Sequence, residues 1–107
     1  MMNRADVLQA AKEAVENRGN AYAPPGSNFA RIADLWSAIL GVPVEPWEVA
    51  LCQAAVKIAR LAETEGRHPD SWIDLAGYAA CGAEVTDHFC PACEAEIATT
   101  EEIDATS

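Results

Sequence analysis

Two aspartates four residues apart, Asp70 and Asp74 in "DSWIDLAGYAACG", have the spacing that most directly suggests chemistry. Side chains at i and i+4 share one face of a helix. If the segment is helical, Asp70, Asp74, Tyr78 and Cys81 therefore form a single stripe. Two carboxylates on one face suit Mg²⁺, which usually takes one or two protein carboxylates together with phosphate oxygens. The same residues have a structural reading. "SWID" is Ser-x-x-Asp, so Ser71 can cap the helix with Asp74 reaching back, while Asp70 favours the positive helix end. On local pattern alone both readings stand.

A second pair of charges bears on the choice. "KIAR" places Lys57 and Arg60 three residues apart, within one helical turn. The short link "GRHP" predicts that their helix and the next pack antiparallel, which brings the cations towards Asp74. They sit among Ala, Val and Ile, so partial burial is expected, and buried charges need partners. The expectation is a Lys57/Arg60/Asp74 network with the Tyr78 hydroxyl as a fourth member. The competing expectation is an exposed helix face on which both cations are simply solvated.

A third group lies near the end of the chain. "DHFCPAC" supplies His88, Cys90 and Cys93, and Cys81 precedes them by one loop. Cys-x-x-Cys around a proline turn resembles half of a zinc ribbon, and a closed Zn²⁺ site needs four ligands, so Cys81 and His88 would complete it. The other readings are a redox pair, which lacks a βαβ context here, or an inert tail. Cys81 also reads as a small buried apolar residue, and Cys52 as a core residue. His68, beside Pro69, reads as a solvated loop residue.

The elements that must position these groups are helices. Asn3 caps a first helix over 3–18, with Asp6 in the capping-box position and Val7, Leu8, Ala11, Ala14 and Val15 on one stripe. Gly19 is its expected stop. Pro24, Pro25 and Gly26 mark a turn, after which a second helix over 28–40 starts at Asn28. It presents Phe29, Ile32, Ala33, Trp36, Ile39 and Leu40, and ends at Gly41. The third runs over 46–65 from Pro46, with Val49, Cys52, Ala55, Val56, Ala59 and Ala62 inward and Gly66 as its stop. The fourth, over 70–85, buries Trp72, Leu75, Ala76, Ala79 and Ala83. Both Trp36 and Trp72 are expected to be largely buried. No strand pattern of any length is present. The pattern predicts an all-α, four-helix single domain over 1–87, an antiparallel helical array. A cysteine-containing acidic tail over 88–107 is expected to be mobile beyond Glu94.

Totals narrow the function classes. The 107 residues carry 7 Lys plus Arg against 17 Asp plus Glu, a formal charge of −10. Such a surface repels phosphate backbones, so nucleic-acid binding through a basic patch is disfavoured. No apolar stretch approaches the roughly 18 residues of a membrane span, and "MMNRADVLQAAKEAVENRG" lacks the apolar region of a signal peptide. Four cysteines in that context point to reduced thiols or metal rather than disulfides. A cytoplasmic protein is expected. A helical array this small often needs a second copy to cover its apolar faces, so a homodimer is expected.

"NFARIADLW" (28–36), "KIARL" (57–61) and "DSWIDLAGYAA" (70–80) carry a resemblance by their order and spacing. With Tyr22 and the "VALCQAAVKIARL" helix, the region from about Tyr22 to Val85 resembles a family of short phage and prophage proteins that share a domain of unknown function. The family's usual Tyr-Gly turn is "YAPPGSNF" here. That family is distantly similar to a nucleotide-modification-associated phage domain and to all-α nucleotide pyrophosphatases of the MazG type. The latter resemblance implies a Mg²⁺-dependent hydrolase that splits nucleoside triphosphates to monophosphate and pyrophosphate, using E-x-x-E and E-x-x-D pairs on successive helices. This chain offers Lys57-x-x-Arg60 and Asp70-x-x-x-Asp74 instead, a set that suits gripping phosphate better than holding bare Mg²⁺. The resulting expectation is a nucleotide-related domain that binds, or hydrolyses, a nucleoside phosphate. Lys57 and Arg60 would contact phosphate, Asp70 and Asp74 would orient them or a metal, and Tyr22 or Trp36 would stack on a base. The alternative is a non-catalytic interaction or adaptor protein, zinc-stabilised at its C-terminal end.

Overall fold

Asn3 and Asp6 open the first helix by exchanging backbone bonds. The Asn3 N–H donates to Asp6 Oδ2 at 3.2 Å and the Asp6 N–H donates to Asn3 Oδ1 at 2.9 Å, the reciprocal arrangement of a capping box. A computed structural model describes residues 2–21, 25–86 and 91–92 of the chain. Its elements are α1 (Arg4–Ala21), α2 (Pro25–Leu40), α3 (Pro46–Glu63) and α4 (Pro69–Glu84). The four helices pack in one domain, and there is no strand among the described residues.

Three helix boundaries differ by more than one residue from the sequence expectation, one of them the end of α3, which falls at Glu63 rather than at residue 65. α1 continues through Gly19, because a single glycine weakens a helix by only about 1 kcal/mol and does not end it unaided. α2 begins at Pro25 rather than Asn28, since proline in the first turn lacks only an N–H that would have no helical partner anyway. Asn28 therefore lies inside α2. Elsewhere the punctuation follows the chain. Gly41 takes φ +74° after α2, and its N–H donates to Ser37 O at 2.9 Å. Ser37 Oγ donates to Ala33 O and accepts from the Val44 N–H, both at 2.8 Å, which ties the α2–α3 link back onto α2. α3 opens with Pro46 and with Glu48 reaching back to the Glu45 N–H at 2.9 Å.

The end of α3 is a Schellman motif. The Gly66 N–H donates to Leu61 O at 2.8 Å and the Glu65 N–H to Ala62 O at 3.4 Å. Both Glu65 (φ +55°) and Gly66 (φ +77°) are left-handed, and the Trp72 indole N–H donates to Gly66 O at 2.9 Å. Glu65 adopts this conformation without the freedom of glycine, a local cost of about 1 kcal/mol.

α4 is the central element: it packs along α3 and against α1, while α2 packs mainly on α3. Gly82 permits the closest approach, because a Cβ there would lie 3.0 Å from Ala50 Cβ. Phe29, Ala33, Val49, Ala50 and Cys81 form the buried cluster, with Val15, Ile32, Trp36, Val44, Tyr78 and Val85 packed around it.

Several residues expected inside are not. Leu8, Ile39, Leu40 and Val56 are exposed, as is Cys52. α2 and α3 carry apolar stripes wider than the strip their neighbours cover, so the stripe edges face outward. Trp72 is 47% exposed. It sits in the first turn of α4, where its ring covers the α3–α4 link and keeps one face wet, while Trp36 packs against the core but is only partly buried, less than expected.

Candidate functional site

Lys57 Nζ and Asp74 Oδ2 stand 3.0 Å apart across the α3–α4 seam. Their placement follows from helical periodicity. On α3, Ala50, Ala54, Lys57 and Leu61 fall on one face, and all but Lys57 are buried. On α4, Ser71, Asp74, Tyr78 and Cys81 do the same, with Ser71 and Cys81 buried. Lys57 opposes Asp74 and Ala50 opposes Gly82, so residue numbers rise on one helix as they fall on the other. The helices are antiparallel, as the short link predicts. The two charged side chains are 27% and 28% exposed, a depth at which solvent still screens the pair. Its contribution to stability is on the order of 1 kcal/mol.

The rest of the expected network does not assemble. Arg60 is exposed and forms no ion pair among the described residues. Lys57 lies at one edge of the seam, with Ala54 and Leu61 on its inner side, and the 60° between it and Arg60 runs the other way, past that edge. Tyr78 packs its ring against the buried cluster, and its hydroxyl makes no hydrogen bond to Lys57 or Asp74. Asp70 is exposed in the first turn of α4 and takes the role of a helix-end charge.

The cap of α4 is His68, not Ser71. Pro69 occupies the first helical position, His68 Nδ1 accepts from the Ser71 N–H at 3.2 Å, and the Ser71 hydroxyl lies 2.7 Å from the same nitrogen. An accepting Nδ1 requires the proton on Nε2. His68 is thus a structural residue rather than a solvated one, and Asp74 is released from capping to meet Lys57. The signal was in the sequence: proline favours the first helical position, so the residue before Pro69 is the cap.

The donor set for metals is sparse. No group of three or more His, Cys, Asp or Glu side chains comes together among the described residues. Asp70 is exposed and Asp74 is matched by Lys57. These residues do not fit a resident Mg²⁺. Cys81 is buried in the core cluster, while His88, Cys90 and Cys93, proposed with it as zinc ligands, lie outside the described residues, as does Tyr22.

The fold and seam define a small all-α domain built on an antiparallel helix pair bridged by the Lys57–Asp74 ion pair. Residues 6–86 match the model of a family described as a domain of unknown function, DUF6378, and the chain belongs to that family. It is similar to the gene 55 protein of Mycobacterium phage D29, with 38% identity over 76 residues, 70% of this chain and 50% of that protein. The chain thus spans about half the length of this curated relative. No solved structure matches. No described helix is long and apolar enough to cross a membrane.

Proposed function

We propose that this phage-related domain binds a nucleoside phosphate in the bacterial cytoplasm, at the Lys57 end of the α3–α4 seam. The observation that supports this most is the accessible Lys57–Asp74 pair with Arg60 one turn further along α3. Asp74 holds the Lys57 ammonium in place without burying it. Arg60, exposed and without an ion-pair partner among the described residues, supplies a fork that matches two phosphate oxygens. The distant likeness of the family to all-α nucleotide pyrophosphatases supports the same substrate class. The reading is one of binding: no hydrolytic step is assigned, since the described acidic side chains do not form the cluster that such chemistry would need.

A thermal-shift screen against nucleoside mono-, di- and triphosphates, each with and without Mg²⁺, tests the proposal. A rise in melting temperature with at least one of them, persisting in EDTA and lost in Arg60→Ala, is the expected result. No shift with any nucleoside phosphate would refute it. The second reading, a non-catalytic interaction protein, is favoured by the exposed apolar side chains of α2 and α3. It predicts no nucleotide response.

A further inference from the structure

α3 and α4 share an open groove of about 420 Å³ beside Trp47, Leu51 and Ile58. These side chains are 42%, 61% and 55% exposed, so the four helices leave them uncovered. None of the described lining residues is charged. Thr86, just beyond α4, also lines the groove, and residues 87–107 of the chain follow it. Ala50 stands against Gly82 and Lys57 against Asp74, a register that sets Thr86 at the Trp47 end. The rest of the chain therefore departs from one mouth of an apolar groove.

We infer that residues 89–97 of the same chain seat in this groove, antiparallel to α4. Their sequence has the matching pattern. Phe89, Cys93 and Ile97 recur every four residues, the spacing that gathers side chains on one helical face. Trp47 and Leu51 repeat at the same interval, and Ile58 follows about two turns later. Pro91 and Ala92 are helical and exposed, and both positions lie off the Phe89/Cys93/Ile97 stripe. Glu94 and Glu96 flank that stripe on opposite sides, where they stay in water while the apolar residues meet an uncharged wall. Reach also agrees. Phe89 to Ile97 covers about 12 Å as a helix, against about 17 Å from Trp47 to Ile58. Elements joined by a short link are usually neighbours in space. Tethering at Thr86 holds the segment at an effective concentration on the order of millimolar, so a free partner or second copy at micromolar concentration competes poorly. The inference does not depend on nucleotide binding.

Nuclear Overhauser contacts in the ¹³C-labelled full chain test it. The expected result is contact between the Ile97 methyls and those of Leu51 or Ile58, and between the Phe89 ring and Trp47 or Leu51. Ile97→Glu should abolish the Ile97 contacts and shift the Leu51 and Ile58 methyl resonances, whereas Ile103→Glu, outside the segment, should leave them in place. A half-labelled, half-unlabelled mixture identifies the source of each contact. Contacts to the groove that arise between chains would seat a second copy there and overturn the proposal. So would the absence of any contact from residues 89–97 to the groove, or methyl resonances unmoved by Ile97→Glu.

Discussion

The two long sides of α3 are built from similar residue types and have opposite fates. On the seam side, Ala50, Ala54 and Leu61 are covered by α4, and Gly82 brings the helices together until only hydrogen fits between them and Ala50. On the opposite flank, beside an open groove shared with α4, Trp47, Leu51 and Ile58 are just as hydrophobic yet remain exposed. Coverage explains the difference: Leu61 is 7% and Leu51 61% exposed although both are leucines, because one turns into the α3–α4 seam and the other off it. In this domain hydrophobicity alone does not decide which face is inside; the partner's ability to come near does.

The sharpest way to break that contrast is to add bulk to the seam. Gly82→Leu should push α3 and α4 apart and destabilise the domain by about 3 kcal/mol, the upper range for overpacking. Urea denaturation followed by circular dichroism would measure it. Leu51→Ala, by contrast, should cost no more than about 1 kcal/mol, since none of the four helices covers it. Equal losses from the two substitutions would erase the distinction between the faces.

Smaller effects should appear at the corner where α3 turns into α4. His68→Ala removes the acceptor for the Ser71 N–H and should cost about 1 kcal/mol, while His68→Asn, a good capping residue, should recover most of it. Glu65→Gly should act in the opposite direction, stabilising by about 1 kcal/mol, because glycine occupies the left-handed conformation at φ +55° without penalty. Chemical denaturation of the three variants under one buffer condition would check both signs. A null result for His68→Ala would mean that the cap observed here contributes nothing.

Much of this architecture was legible in the chain. The four helices, the Asn3–Asp6 capping box, Pro46 at the start of α3 and the antiparallel α3–α4 pair all follow from local patterns, which act over a few residues. The Lys57–Asp74 pair was legible as well, since periodicity faces both residues into the same seam. What failed was rotation and coverage. Arg60 is only three residues from Lys57, yet that step carries it to the outside. Cys52, Val56 and Ile39 look like core residues because the pattern records hydrophobicity, not whether another helix lies across from them. Trp72 misled for a related reason: its indole N–H needs a partner, and finding one at Gly66 O holds the ring at the domain edge. The His68 cap was hidden by the attraction of Ser-x-x-Asp, a familiar capping pattern displaced by the proline just before it.

Calorimetric titration of nucleoside triphosphate into wild-type protein and Lys57→Met, with urea denaturation of both, tests the central claim that the seam cation serves a ligand. Lys57→Met leaves Asp74 partly exposed to water, so it should lower stability by no more than about 1 kcal/mol. Wild type should release or absorb heat on binding, and the folded variant should give none. Binding retained in Lys57→Met, or a wild type that binds no nucleotide while the variant loses several kcal/mol, would contradict it and leave the pair a purely structural link between α3 and α4.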